Sequence, residues 1–110
     1  MNAPATSGAL EVACLIDAGL PAFEGHFPGA PVLPGAYLLA LVMHAVAQHR
    51  ALAQRVGSAP LVQQMKFLAA VQPGQTVHIR LDDSPAGVAF VIRCGATLVA
   101  RGQIAAAAAP

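Results

Sequence analysis

The sequence predicts a single α+β domain in which an antiparallel sheet wraps around one long helix, and three observations carry that prediction. The first is length: 110 residues suit one domain. The second is a segment from Gly35 whose first half, Tyr37-Leu38-Leu39-Ala40-Leu41-Val42-Met43, is apolar almost all round, as a helix enclosed by other structure must be. The third is the order of elements. One strand is followed by a loop dense in glycine and proline, then the helix, then four strand-like stretches parted by turns. A curled sheet closing on the helix buries both apolar surfaces at once.

The domain is expected to run over residues 9–105, behind a flexible lead at 1–8 and ahead of an alanine-rich tail at 106–110. Leu10 to Ile16 reads as a strand, with Leu10, Val12, Cys14 and Ile16 on one face at period two. Asp17 to Pro34 holds Gly19, Pro21, Gly25, Pro28, Gly29, Pro31 and Pro34, which forbids a regular element and marks an ordered loop. The helix is expected from Gly35 to about Val56. Pro34 stands where a missing N–H costs nothing, and Gly57 and Pro60 stop the helix. The remaining strands are expected at Leu61–Val71, Thr76–Leu81, Val88–Cys94 and Thr97–Ile104, with a turn over Asp82–Gly87. In the second of them Val77, Ile79 and Leu81 face inward while Thr76, His78 and Arg80 face out.

Composition narrows the function. Apolar residues make up 56% and charged residues 10%, an excess that a small domain hides best by associating with a second copy. The formal charge is +1, and Arg50, Arg55, Lys66, Arg80, Arg93 and Arg101 are spread along the chain, which speaks against nucleic acid. Cys14 and Cys94 read as reduced core residues. Neither has a histidine at ligand spacing, and no glycine-rich phosphate loop follows a strand, so no metal, nucleotide or flavin cofactor is expected. The N-terminus lacks a signal-peptide pattern, and Ala36–Ala47 is too short for a bilayer span of ~20 residues. A cytoplasmic protein is the expectation.

The chemistry concentrates in Glu24-Gly25-His26-Phe27-Pro28-Gly29-Ala30-Pro31-Val32-Leu33-Pro34-Gly35. This segment resembles the signature of the 3-hydroxyacyl-acyl carrier protein dehydratases, in which a His-Phe-Pro triplet precedes a proline, two apolar residues and a Pro-Gly pair that opens the helix of a hotdog fold. Met65 to Gly74 is similar to that family's first strand and turn after the helix, and Cys94-Gly95 with Val99 to Gly102 to its last hairpin. In length and wording the chain looks closest to small dehydratase-like members of aryl-polyene or specialised lipid pathways.

The resemblance implies a dimer with acyl tunnels at its interface. It implies that His26 removes the proton alpha to the thioester carbonyl, and that the Gly35 N–H at the helix start binds the carbonyl oxygen. Phe27, Pro28, Val32, Leu33, Pro34, Tyr37 and Ala40 would border the substrate. Both principal roles are physically apt: neutral imidazole is available as a base near neutral pH, and an unpaired amide at a helix N-terminus is a preorganised donor for developing negative charge. The acyl group would arrive on acyl carrier protein or coenzyme A, with Arg50, Arg55 and Lys66 as charge-based contacts for an acidic carrier.

One position departs from the pattern. The family's second catalytic group is a carboxylate on the partner subunit's helix, fourteen residues after the histidine, and here that position is Ala40. Alanine transfers no proton. His44, one turn further on the same face, is the available substitute. Three readings stay open: dehydration by His26 with or without His44, a non-catalytic acyl-binding subunit that pairs with one carrying the acid, and a hotdog thioesterase.

Overall fold

The computed structural model describes residues 10–19 and 33–107. In chain order the elements are β1 (Leu10–Leu15), α1 (Gly35–Ala47), α2 (Arg50–Val56), β2 (Pro60–Phe67), β3 (Thr76–Ser84), β4 (Gly87–Cys94) and β5 (Thr97–Ala106). The strands form one sheet in the order β1-β3-β4-β5-β2, and every adjacent pair is antiparallel. The α+β class and the hotdog architecture are thus realised.

The alternation read from sequence sets the faces. Val77, Ile79 and Leu81 of β3 are fully buried, as are Val88, Phe90 and Ile92 of β4 and Val99, Ala100 and Ile104 of β5. They meet Leu38, Val42, Ala45 and Val46 of α1 and Leu52 and Val56 of α2 in one core. Cys14 and Cys94 are free thiols at its edge, and burial raises the Cys14 pKa.

The single long helix is corrected to two. Gln48 caps α1, and His49 is extended at φ −119°, ψ 109° before α2 begins. The apolar spacing does not break there, since Leu38, Val42, Leu52 and Val56 would share a face of a continuous helix. His49 would lie in the middle of that face, about 20° from Leu38 at ~100° per residue. Burying an imidazole without a partner is costly. The bend leaves His49 half-exposed instead, with its N–H on the Val46 carbonyl at 3.1 Å and its carbonyl taking the Ala53 N–H at 2.8 Å.

Three strand boundaries also move by two residues or more, while β1 stops one residue early at Leu15 and β2 and β4 start one early at Pro60 and Gly87. β2 ends at Phe67, and the Leu68 and Ala69 amides both turn onto the Val99 carbonyl at 2.8 and 3.2 Å. The turn expected over Asp82–Gly87 shrinks to Pro85-Ala86, because β3 continues to Ser84, paired with Gly87. β5 runs to Ala106, with Ala105 buried opposite both Leu61 and Gly87, so Ala106, the first residue of the expected tail, belongs to the sheet.

Gly87 is required by close approach. A Cβ there would collide with the Ile104 carbonyl oxygen and lie 3.0 Å from the Ala105 Cα, and neither can retreat without opening the β4–β5 ladder. Gly87→Ala should cost about 1–3 kcal/mol, the usual range for overpacking, and lower the melting temperature by roughly 5–20 °C. A thermal melt within a degree of wild type would contradict this contact.

Candidate functional site

The site is built where α1 starts. Pro34, extended at φ −61° and ψ 143°, delivers the chain into the helix, and its carbonyl takes the N–H groups of Tyr37 at 3.0 Å and Leu38 at 3.4 Å. Among the described residues nothing accepts the Gly35 and Ala36 amides. Amides in that position belong to a helix N-terminus, which carries partial positive charge. Just upstream, buried Leu33 is pinned by its N–H to the Val71 carbonyl at 2.9 Å, which holds the helix start against the segment leaving β2.

A groove of about 410 Å³ opens there, lined by Leu33, Gly35, Leu38, Phe67, Ala69 and Ala70. Its walls are apolar, and its polar feature is backbone at the helix start. Phe67 was not singled out as a site residue from sequence, yet it shapes this groove. Its ring crosses Gly35 so closely that a Cβ at position 35 would lie 2.5 Å from Cζ and 2.7 Å from Cε1. The ring is nevertheless half open to solvent, 51% exposed. The available signal was the broken alternation at Phe67-Leu68, two adjacent large apolar residues at a strand end followed by two small ones.

The other expected residues separate into four groups. Leu33 and Gly35 line the groove, with Pro34 half-buried between them. Tyr37 is half-buried and packs against the core. Ala40 and His44 are both exposed and lie about 140° and 180° around α1 from Gly35, so one chain does not bring them to its own groove. His26, Phe27, Pro28 and Val32 lie outside the described residues.

Arg55, expected as a contact for an acidic carrier, is occupied within the chain. Its guanidinium donates to the Ser84 and Gly87 carbonyls and lies 3.6 Å from Asp83, fastening α2 to the β3–β4 turn. Arg50 and Lys66 are exposed. Among the described residues no group of three His, Cys, Asp or Glu side chains is placed to hold a metal ion, and no helix is long and apolar enough to cross a membrane.

Gly35→Ala tests the groove. The new methyl must displace the Phe67 ring, which is free to swing on its exposed side, so stability should change little. The ring then moves across the helix N-terminus, and thioester turnover should fall about tenfold or more, within the range that loss of one oxyanion donor produces. Adding Phe67→Ala should recover much of the loss. If the double variant is no better than the single one, the ring is not what excludes the ligand.

The chain and its fold have counterparts among known proteins. The model of the ApeI-like family, described as ApeI dehydratase, matches residues 2–103. A 3-hydroxyacyl-acyl-carrier-protein dehydratase FabZ of Rickettsia massiliae is 36% identical over 97 residues, 78% of this chain and 62% of that protein. The chain thus spans under two thirds of the length of such curated relatives. Among solved structures, the dehydratase heterocomplex ApeI:P from Xenorhabdus doucetiae superposes at a TM-score of 0.73 with 26% identity, covering 89% of this chain and 86% of the other. A pyran synthase domain from module nine of the sorangicin pathway reaches 0.75 at 17% identity, covering 98% of this chain and 39% of its own, which supports the fold alone. With nearly the whole of its length matched by the family model, the chain belongs to the ApeI-like dehydratase family.

Proposed function

We propose that the chain is a 3-hydroxyacyl thioester dehydratase-like protein, taking its acyl group on acyl carrier protein or coenzyme A and working as a cytoplasmic dimer. The observation that carries the reading is the helix N-terminus at Gly35, its amide without an acceptor among the described residues, opening onto an apolar groove under Phe67, directly after the His26 motif. The groove takes the acyl chain, and the Gly35 amide takes the thioester oxygen. His26 removes the C2 proton, the C2=C3 double bond forms, and the C3–O bond breaks. The departing hydroxyl needs a proton to leave as water, and this proton is what Ala40 cannot supply.

Exposure of Ala40 and His44 on one face of α1 supports a site completed across an interface. The second chain's helix would then bring residue 40 or 44 to the groove of the first. In a homodimer the candidate donor is His44, and dehydration is slow. In a heteromer the partner brings a carboxylate. The similarity to a protein solved as a dehydratase heterocomplex favours that second arrangement, in which this chain contributes acyl binding. The exposed Leu61, Phe67 and Leu68 on or beside edge strand β2 are an apolar margin suited to such pairing.

The test follows enoyl thioester and free thiol separately, with a 3-hydroxyacyl thioester as substrate. Enoyl product, slow or only with a partner subunit, is the expected result. Rapid thiol release without enoyl product would reassign the chain as a thioesterase, and tight binding with neither product would make it a binding subunit. Failure to bind any acyl thioester would overturn the reading.

A further inference from the structure

Gln72-Pro73-Gly74-Gln75 closes the connection between β2 and β3. Proline in its second place and glycine at φ 86° in its third suit a type II turn, and the Gln75 N–H reaches the Gln72 carbonyl at 3.3 Å. This connection is tied to both flanks of residues 17–32. The Ile16 N–H bonds the Gln75 carbonyl at 2.8 Å, and the Ile16 carbonyl takes the Gly74 N–H at 2.7 Å. The Leu33 N–H bonds the Val71 carbonyl at 2.9 Å. Ile16, Leu33 and Val71 are all buried.

Gln75 makes a further bond that the turn itself does not require. Its carboxamide Oε1 accepts the Gln72 N–H at 2.8 Å. That N–H belongs to the same peptide unit as the Val71 carbonyl, and the two point in opposite directions from one rigid plane. The plane is therefore held on both sides, by Gln75 through its N–H and by Leu33 through its oxygen. Rotating it to release one partner weakens the bond to the other, and the bond from Gln72 polarises the carbonyl that Leu33 uses. Leu33 is followed by Pro34, whose ring fixes φ, at −61° here, and then by Gly35. Little freedom is left between the pinned Leu33 amide and the helix start. The same connection supplies Ala69 and Ala70 to the groove wall.

We propose that Gln75 is a positioning residue for the reaction: its side chain fixes the Val71–Gln72 peptide plane, and through Leu33 and Pro34 it holds the Gly35 amide where the thioester oxygen gains charge. The inference rests on the proposed acyl-thioester reading. Gln75 lies outside the groove lining, and its bond to Gln72 is exposed, so water replaces that bond at little cost to stability. Acyl binding is spread over apolar walls and tolerates a small shift. Transition-state contacts do not, since a misplacement of about 1 Å can cost about 100-fold in rate. The signature is a loss of kcat that acyl binding does not share.

The test compares Q75M, which keeps the length of the side chain and lacks the acceptor, with Q75E, which keeps the acceptor. Q72A is the control, because it alters the surface of the turn and leaves the Gln72 N–H in place. Each protein is read in three ways: kcat for enoyl formation (with a partner subunit where the chain needs one), the Kd of a saturated acyl pantetheine thioester, and hydrogen exchange at the Leu33 amide. Q75M should lower kcat about five- to twentyfold and leave Kd within about twofold. It should speed exchange at Leu33 about fivefold or more, with Ile79 and Ile92 in the sheet unchanged. Q75E should bring kcat and Leu33 protection back to within about twofold of wild type, and Q72A should match wild type. Unchanged kcat in Q75M, no recovery in Q75E, or a Kd that weakens in step with kcat would overturn the positioning role. So would Leu33 exchange as slow in Q75M as in wild type. A wild type that binds no acyl thioester would instead remove the acyl-site reading, and exchange at Leu33 would still decide whether Gln75 holds the peptide plane.

Discussion

His26→Ala is expected to remove dehydration, lowering kcat/KM by about 100- to 10,000-fold, while leaving the fold intact. The magnitude is that of a positioned general base. The fold should survive because the described residues that flank the segment bearing His26 are held by backbone bonds. On one side the Ile16 N–H bonds the Gln75 carbonyl at 2.8 Å and the Gly74 N–H returns to the Ile16 carbonyl at 2.7 Å. On the other, Leu33 bonds Val71. Val71 and Gln75 are four residues apart, so Ile16 and Leu33 are both anchored on the short connection between β2 and β3. Kinetics of enoyl formation and a thermal melt on the same preparation separate the two effects. Turnover within a few-fold of wild type would remove His26 from the mechanism. A collapse in melting temperature would mean that it holds the loop.

The fold was legible because two periodicities were clean. Alternation in Thr76–Leu81 and the all-round apolar run from Tyr37 to Met43 specify which surfaces must meet. What escaped were features set by partners distant in sequence. The helix break turns on His49 reaching a stripe that Leu38 and Val42 begin more than a turn away. Ser84 and Ala105 stay in strands because Gly87 is opposite both. Arg55 looked available until the β3–β4 turn was placed beside it.

The candidate site divides in the same way. Gly35 was legible because helix starts carry local signals. Phe67 was not, since its role depends on a ring from β2 crossing the helix N-terminus. Strand pairing hides neighbours in the same way: Lys66 and Arg101 are 35 positions apart in the chain and opposite one another in the sheet.

Ala40→Glu is expected to raise dehydration by at least tenfold, with an upper bound near the ~100- to 10,000-fold that an acid–base group contributes. Ala40 is exposed on α1, so a longer side chain meets no core of its own subunit. Glutamate also costs a helix only a few tenths of a kcal/mol relative to alanine. The gain therefore depends on what faces residue 40 in the assembly. If a second copy presents its groove there, the new carboxyl protonates the leaving hydroxyl. The Ala40→Glu variant should then dehydrate without a partner subunit. Adding His44→Ala separates the donors: it should depress the slow wild-type rate and leave the Ala40→Glu rate nearly unchanged, because the carboxyl has taken over the proton. Fast dehydration by wild type and by His44→Ala alike would show that neither position limits the reaction. An Ala40→Glu protein that binds acyl thioester as tightly as wild type and gains no rate would place residue 40 away from any groove, and the acid would have to reach the substrate from another element.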